Sequence, residues 1–270
     1  MFMATITKEA KYDCLVFDMD DTLYPLTSGL NLACRKNIQD FMLHNLHIEE
    51  SQVAKMCLDL YKEYGTTMAG LKELGYGFDD DEFHAYVHGR LPYETLKPDP
   101  VLRSLLLSVP QRKIIFTNAD KVHTAKVISR LGLEDCFDGV ICFETLNLTP
   151  TLNFPAEKIT TMTDDDLKSW TSEGRILCKP SLEAFETAIR ISNIDQKRTI
   201  FFDDSPRNIA AGKAAGLHTV LVGSSVLVPG ADLALESIHN IREALPEIWQ
   251  DGEQFEPVLA ATSAEAVVLA

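Results

Sequence analysis

Short apolar runs rich in β-branched and aromatic residues recur along the chain, and stretches with helical periodicity separate them. Five such runs are "LVF" at 15–17, "KIIF" at 113–116, "GVICF" at 139–143, "TIFF" at 199–202 and "TVLV" at 219–222. Runs of this length are typical of strands that are buried on both faces. Their alternation with helical segments predicts an α/β fold, in which crossover helices join the strands of a parallel sheet.

The helices between these strands have recognisable ends. The segment "DKVHTAKVISRLG" ends at Gly132, a residue that favours the C-terminal end of a helix, and "SLEAFETAIRIS" begins at Ser181, a favoured N-cap. A third segment, "SPRNIAAGKAAG", predicts a helix between Ser205 and Gly216. Helix and strand therefore alternate through the second half of the chain.

A long insertion interrupts this alternation after the first strand. Residues 25–97 contain no convincing strand and are rich in helix-forming residues. Because this segment is too long for a single crossover, we expect a separate helical subdomain, flanked by the core segments 1–24 and 98–245. Within the core, residues 145–177 are expected to form a loop insertion, and the weakly patterned residues 246–270 a C-terminal tail.

The composition indicates a globular chain with a strong negative charge. Its 270 residues are 46% hydrophobic, which is enough for a substantial core. The formal net charge of −15 argues against binding of nucleic acid polymers or anionic membranes through a basic surface, although a local cationic site permits a small anionic substrate.

No apolar run approaches the length of about 18 residues that a membrane span needs. The N-terminal residues lack the pattern of a secretory signal, so we expect a cytoplasmic protein. The sequence does not fix the oligomeric state.

The cysteines and two of the histidines show no metal-binding pattern. The six cysteines lack C-x-x-C spacing and lie mostly within apolar runs, so we expect neither disulfides nor a zinc site. His84 and His123 show no spacing to a metal-binding partner and are interpreted as structural or solvated residues.

Polar side chains follow three of the predicted strands, at the point where each strand ends. Ligands of an open parallel sheet bind at the carboxyl ends of the strands, so these residues are candidates for a site. Lys179 comes just before the helix that leads into "TIFF", and we expect it to reach the same edge. The residues at the three strand ends are Asp18, Asp20, Asp21, Thr117, Asn118, Asp203 and Asp204.

This set of side chains fits phosphoryl transfer. A carboxylate can attack phosphorus and form an aspartyl-phosphate, which divides hydrolysis into two easier steps. Because the nucleophile and the substrate are both anionic, a cation must lie between them, and carboxylates from two strand ends suit Mg²⁺. Lys179 and the Thr117 hydroxyl would hold the remaining phosphate oxygens.

Four segments, in order along the chain, resemble the motifs of the haloacid dehalogenase (HAD) superfamily of phosphohydrolases. They are "DMDDT", "FTNAD", "CKPS" and "FFDDSPRN", and the resemblance covers the chain from about 14 to 222. The helical insertion directly after the first motif resembles the helical cap of that family. The resemblance implies a Rossmann-like parallel-sheet core with an inserted helical cap that closes over the substrate.

The resemblance also implies roles for individual residues. Asp18 matches the nucleophile, and Asp20 matches the general acid/base that protonates the leaving oxygen and then activates water. Thr117 and Lys179 match the phosphate-binding residues, and Asn118 beside Thr117 is assigned to the same group.

The implied Mg²⁺ ligands are Asp18, the backbone carbonyl of Asp20, and Asp204 as the principal acidic ligand, with Asp203 behind it. The acidic motif departs from the family's commoner form, because Asp203 stands where glycine is usual and Asn208 where a second aspartate often stands. We expect Mg²⁺ binding to survive, because Asp203 supplies the missing charge.

Within the superfamily, "YKEYGTTMAGL", "VHGRLPYETLKPDP" and "IIFTNAD" resemble the pyrimidine 5′-nucleotidase-like branch. This resemblance implies a pyrimidine nucleoside 5′-monophosphate, UMP or CMP, as the substrate. Aromatic and basic residues of the insertion are candidates for contacting the part of the substrate beyond its phosphate. They are Tyr64, Tyr76, His88, Arg90 and Tyr93.

Several alternatives stay open. The alternative substrates are pyridoxal phosphate, FMN and sugar phosphates, and a phosphomutase or a non-catalytic regulatory protein can use the same scaffold. Dehalogenation is disfavoured, because it needs neither Mg²⁺ nor an acid such as Asp20.

Overall fold

A six-stranded parallel sheet forms the centre of the protein in the computed structural model, which describes residues 10–147 and 175–249. The strands are β1 (Cys14–Phe17), β2 (Arg112–Phe116), β3 (Gly139–Ile141), β4 (Thr199–Asp203), β5 (His218–Val222) and β6 (Leu233–Leu235). Their spatial order is β3-β2-β1-β4-β5-β6, and every neighbouring pair is parallel. The strand order therefore reverses at β1, and the carboxyl end of this strand is where such sheets bind ligands.

Helices connect the strands and build the inserted segment. They are α1 (Leu30–His44), α2 (Glu50–Tyr64), α3 (Thr67–Glu73), α4 (Asp80–His88), α5 (Pro100–Ser108), α6 (Lys121–Leu131), α7 (Phe143–Leu146), α8 (Leu182–Ser192), α9 (Pro206–Ala214) and α10 (Ile241–Ala244). The ends predicted at Gly132 and Ser181 are confirmed. Gly132 follows α6 in the left-handed conformation, with a φ of 70°, and Ser181 is the N-cap of α8.

Alternate residues of the central strands face two separate apolar layers. In β1, Leu15 and Phe17 belong to one layer, Cys14 and Val16 belong to the other, and all four are buried. The first layer includes α5 and α6, and the second includes α8 and α9. Because helices cover both faces, the central strand β1 is apolar along its whole length. The predicted Rossmann-like α/β class is confirmed.

Helices α1 to α4 lie between β1 and β2 and enclose a hydrophobic cluster of their own; we refer to these four helices as the helical cap. They fall within residues 25–97, the range predicted to form a helical subdomain. Phe143, from α7 of the core, completes the cluster. The cap residues of the cluster are Phe41, Met42, Ile48, Val53, Cys57, Leu60, Met68, Leu71, Phe83 and Val87.

Two elements differ from the sequence prediction. The third strand ends at Ile141 instead of continuing to 143, because Cys142 is the N-cap of α7 and Phe143 turns towards the cap cluster. The sixth strand was not predicted, since its three residues, Leu233–Leu235, carry too short an apolar run to stand out.

The predicted loop insertion at 145–177 lies mostly outside the described residues, as does the C-terminal tail after Trp249. The first residues of that predicted tail are packed on the core. Ile248 is buried, and its carbonyl accepts a hydrogen bond of 2.7 Å from the Gln111 side chain. In the described ranges, no helix combines the length and the apolar character needed to cross a membrane.

Gly65 ends α2 at a point where the cap touches the core. Its φ of 89° lies in the region that favours glycine, and a Cβ atom at this position would lie 2.5 Å from the Lys179 carbonyl oxygen. Gly75, an exposed cap residue, has a similar φ of 84° but only open space around it. Backbone conformation and close approach thus both require glycine at 65, whereas only the conformation does so at 75.

We expect Gly65→Ala to lower the free energy of unfolding more than Gly75→Ala. The left-handed backbone costs about 1–2 kcal/mol at either position. The clash with Lys179 adds roughly 1–3 kcal/mol at position 65 only. Urea unfolding of the two variants measures the difference, and equal losses would contradict a tight contact between Gly65 and the Lys179 loop.

Candidate active site

The ends of β1 and β4 meet a buried lysine. Lys179 Nζ donates to Asp18 Oδ1 at 2.7 Å and to Asp203 Oδ2 at 2.8 Å, and its side chain is 1% exposed. Burial favours neutral lysine, but the two carboxylates outweigh it and raise the pKa of Lys179. The sequence prediction that these three residues lie together is therefore matched by the structure. They form a buried ion triad.

Asn118 holds the backbone of Lys179. Its side-chain amide donates to the Lys179 carbonyl at 3.0 Å, and its side-chain oxygen accepts from the Lys179 N–H at 2.8 Å. Both polar atoms of the side chain predicted to bind phosphate are thus engaged in positioning the lysine. Its role in binding phosphate stays a prediction.

Asp203 is fully buried, and its carboxylate is surrounded by donors. Besides Lys179, the Ser205 N–H donates to it at 2.8 Å, and the Asn208 amide lies 3.0 Å from each of its oxygens. This arrangement explains the unusual acidic motif. The carboxylate at 203 and the amide donor at 208 are hydrogen-bonded to each other, so the two unusual residues of the motif act as a pair.

Three carboxylates provide the site for a cation. Oxygens of Asp18, Asp203 and Asp204 all lie within 4.8 Å of one another. Burial, followed by the charges of Asp203 and Asp21, raises the pKa of Asp204 to about 7. Burial likewise raises the pKa of Asp18, in spite of the lysine beside it. One lysine therefore leaves excess negative charge, and hard carboxylate oxygens are the ligands that Mg²⁺ prefers. The residues present fit a Mg²⁺ ion.

Two threonines lie at this edge of the sheet, one beside the Asp18 carboxylate and the other at the end of the neighbouring strand. The Thr22 hydroxyl donates to Asp18 Oδ2 at 3.0 Å. Thr117 follows β2, the neighbour of β1, and its hydroxyl oxygen accepts from the Ala119 N–H at 3.1 Å. Because that bond uses a lone pair, the Thr117 hydroxyl proton is available to an anion.

Asp20 lies in a network that the sequence analysis did not predict. His123 Nε2 lies 2.8 Å from Asp20 Oδ1, and the Tyr24 hydroxyl donates to the same oxygen at 2.5 Å. Burial opposes ionisation of Asp20, but His123 and the two hydrogen bonds outweigh burial and hold the pKa of this carboxyl below its ordinary value. No protein partner of Oδ2 is found in residues 10–147 and 175–249, so this second oxygen is free to exchange a proton.

His123 is itself held from behind by Tyr93. The Tyr93 hydroxyl lies 2.7 Å from His123 Nδ1 and donates to the His88 carbonyl at 3.0 Å. When the Tyr93 hydroxyl donates to His88 it accepts from Nδ1, and each imidazole nitrogen then carries a proton. Burial lowers the pKa of His123, but the Asp20 carboxylate reverses the effect and raises it. The raised pKa of His123 and the lowered pKa of Asp20 both favour an ion pair of these two residues.

The interpretation of His123 as structural or solvated was therefore incomplete. The residue is buried, yet it contacts a candidate catalytic group 103 positions away. The sequence did contain a signal for this role, because His123 lies in the first turn of α6, the helix that follows the carboxyl end of β2. A helix that begins at this edge of the sheet points its first residues to the ligand side.

Two cavities border the carboxylates. A cavity of about 480 Å³ lies between Asp21 and Asp204 and is also lined by Tyr24. A smaller one, of about 100 Å³, is lined by Asp20, His88 and other residues of the segment after β1, of the inserted segment and of α6. A substrate reaching Asp20 from the side of the cap would enter through this region.

The cap residues predicted to contact substrate lie in different surroundings: one lines a cavity, two pack against the cap cluster and one is exposed. His88 lines the smaller cavity. Tyr64 and Tyr76 are partly buried against the cap cluster, and the exposed Arg90 stacks on the Tyr86 ring at 4.5 Å. Substrate contact by these residues stays a prediction, and His88 shares the lining of its cavity with Asp20.

We expect Lys179→Met to lower the free energy of unfolding by about 3–5 kcal/mol, because it leaves Asp18 and Asp203 buried without a counter-charge. Lys213→Met is the matched control. It breaks a surface pair with Asp232 whose side chains are 45% and 40% exposed, and we expect a loss of no more than about 1 kcal/mol. Urea denaturation in EDTA measures the free energy of unfolding of both variants. Equally small losses in Lys179→Met and Lys213→Met would mean that the triad does not stabilise the fold.

The ion pair of His123 and Asp20 predicts a pH dependence of stability. The pKa of His123 is raised on folding, so its contribution is fully present below an unfolded pKa of about 6.5 and is lost as the pH rises through the folded pKa. Urea unfolding in EDTA should give a stability gap between wild type and His123→Asn that shrinks as the pH rises from 6 to 9. His44→Asn, at an exposed position, should follow the wild type throughout. A gap that is constant with pH would contradict the ion pair.

Comparisons with known proteins show which family the chain belongs to. The family model of the haloacid dehalogenase-like hydrolases matches residues 12–216. Phosphate metabolism protein 8 of Saccharomyces cerevisiae is 25% identical over 214 residues, which cover 76% of this chain and 60% of that protein. The chain thus spans less than two thirds of that relative's length. Glyceraldehyde 3-phosphate phosphatase of Pyrococcus abyssi is 24% identical over 217 residues, covering 76% of this chain and 79% of that protein.

A solved structure has the same fold. The HAD hydrolase YfnB of Bacillus subtilis, solved with bound magnesium, is 19% identical, with a TM-score of 0.51 and coverage of 87% of this chain and 99% of that chain. A likeness at this level of identity concerns the fold alone. The family match covers most of the chain, and this likeness agrees with the parallel sheet. The chain belongs to the haloacid dehalogenase-like hydrolases.

Proposed function

We propose that this hydrolase cleaves phosphomonoesters in a Mg²⁺-dependent reaction through an aspartyl-phosphate on Asp18. The observation that carries the proposal is the buried triad of Asp18, Lys179 and Asp203, with Asp204 beside it. A nucleophilic carboxylate, a fixed cation and a cluster of hard oxygen ligands are what phosphoryl transfer to an aspartate requires. The name of the Pyrococcus abyssi relative, a phosphatase, supports the same reaction class.

In the first step, a carboxylate oxygen of Asp18 attacks phosphorus. A bond forms between this oxygen and phosphorus, and the bond from phosphorus to the ester oxygen breaks. Lys179 and the Thr117 hydroxyl donate to phosphate oxygens as charge develops on them. A bound Mg²⁺, held by Asp18, Asp204 and the Asp20 backbone carbonyl, would reduce the repulsion between the two anions.

Asp20 supplies the proton that the leaving oxygen needs. His123 and Tyr24 fix its Oδ1, so Oδ2 is the oxygen that carries the proton. The arriving phosphate adds negative charge beside Asp20 and thereby favours its protonated form. In the second step, Asp20 takes a proton from water, the water oxygen attacks phosphorus, and the bond to Asp18 breaks to release phosphate.

We propose a pyrimidine nucleoside 5′-monophosphate, UMP or CMP, as the substrate. The support is the resemblance of the cap segments to the nucleotidase-like branch and the presence of His88 in the cavity that borders Asp20. Pyridoxal phosphate, FMN and sugar phosphates use the same phosphate site, so the choice among them depends on the cap. Phosphate release from a panel of these esters, with and without Mg²⁺, ranks them.

We expect Asp18→Asn to lower kcat by roughly 10³-fold or more with little change in stability, because it removes the nucleophile and hardly changes the side-chain volume. Asp59→Asn, at an exposed position of α2, is the matched control and should keep wild-type activity. Phosphate release by a coupled assay and urea unfolding together make the test. Full activity of Asp18→Asn would show that another group is the nucleophile.

A further inference from the structure

We propose that His84, His88 and Asp120 form a second metal site, for a divalent transition metal of the zinc type, which joins the helical cap to the α/β core. The site is separate from the acidic Mg²⁺ site, and its argument does not depend on the proposed reaction. It corrects the sequence interpretation of His84, which overlooked His88 four residues further on.

The spacing of the two histidines places them on one face of a helix. His84 and His88 stand at positions i and i+4 of α4, the spacing that zinc-binding helices use. Their rings lie nearly parallel, with centroids 5.5 Å apart and an angle of 24° between the planes. Both rings therefore point in the same direction from the cap towards the core.

Asp120 meets this face from the N-terminus of α6. Asp120 Oδ2 is 3.6 Å from His84 Nδ1 and hydrogen-bonded to His88 Nδ1. One ligand atom from each of the three residues lies within 4.8 Å of the others. Bonds of 2.0–2.2 Å in a tetrahedral zinc site place the ligand atoms about 3.3–3.6 Å apart. A metal ion needs only a small opening of the contact between His88 and Asp120, and its binding would release the proton they share.

His84 is the strongest sign that a ligand belongs here. Its side chain is 9% exposed, and neither ring nitrogen has a hydrogen-bond partner among the described residues. Buried polar atoms without partners are rare, because each costs its full desolvation. Phe143 packs edge-on against the imidazole at 4.5 Å and fixes its position. Burial lowers the pKa of His84 to about 4, so the ring is neutral at pH 7 and offers a lone pair.

The Asp120 carboxylate is oriented as metal-binding carboxylates are. Its Oδ1 accepts from the backbone N–H groups of Val122 and His123, at 2.8 and 3.0 Å, as the N-cap of α6. Oδ2 is left to face the two histidines. Hydrogen bonds of this kind fix the direction of a metal ligand and raise its affinity.

The donor set selects the class of metal. Two imidazoles and one carboxylate suit Zn²⁺ and its neighbours, whereas Mg²⁺ prefers sites with oxygen ligands only. The location gives the ion a function. The ion would connect α4 of the cap to α6 of the core. His88 also lines the cavity that borders Asp20, and the metal ion can enter through that cavity.

The test is a Zn²⁺ titration of the full chain in excess Mg²⁺, in competition with a chromophoric chelator. We expect one Zn²⁺ per chain in the wild type. His84→Leu fills the same buried space without a ligand, and Asp120→Asn keeps an oxygen for the helix cap; each should weaken binding by about 10- to 100-fold. His44→Leu removes an exposed histidine as the matched control and should bind as the wild type does.

Thermal unfolding provides a second readout that does not depend on activity. Zn²⁺ should raise the Tm of the wild type and of His44→Leu but not that of His84→Leu. Without Zn²⁺, His84→Leu should unfold at the same temperature as the wild type or higher, since the unpartnered imidazole is gone. If His84→Leu does not fold, Asp120→Asn decides the question alone.

Three outcomes would overturn the proposal. Equal Zn²⁺ affinity in all four proteins would mean that the three residues bind no metal. Zn²⁺ binding that is lost in Asp204→Asn but kept in His84→Leu would place the ion in the acidic site. Co²⁺ substitution separates a third source, because a thiolate charge-transfer band would assign the ion to cysteine instead.

Discussion

The buried contact of Lys179 with Asp18 and Asp203 is the interaction on which the rest of the structure depends. Three charges removed from water are stable only if each is paired and hydrogen-bonded, and the loss of the lysine leaves both carboxylates without compensation. The neighbouring structure serves this requirement. Asn118 holds the lysine backbone from both sides, and Gly65 leaves room for the lysine carbonyl against the end of a cap helix. The position of the cap is thereby tied to the position of the lysine.

The same contact explains how a chain with a net charge of −15 can act on an anion. One lysine cannot neutralise three carboxylates, and the pKa of Asp204 is raised first by burial and then by the neighbouring carboxylates. In the proposed reaction a divalent cation would complete the charge balance, and a phosphate group would then meet a locally positive site in a protein that otherwise repels it. Substrate binding and metal binding would therefore be coupled by electrostatics.

The joint between cap and core is the second organising feature. The end of α4 brings His84 and His88 to Asp120, and the next turn of α6 brings His123 to Asp20. The residues that join the cap to the core are thus separated from Asp20, the proposed acid/base, only by His123. Any ligand or ion that fixes α4 would act on both the cap position and the surroundings of Asp20.

The amino-acid sequence by itself determined the α/β class, five of the six strands and the candidate residues Asp18, Lys179 and Asp204, because apolar runs and ordered motifs are local patterns. Only the tertiary structure decided the partners of those residues. His123 reaches Asp20 across 103 positions, His88 reaches Asp120 across 32, and the Asn118 side chain binds a backbone 61 positions away. Such contacts arise where separate elements converge at one edge of the sheet, and no local pattern records which side chains will meet there.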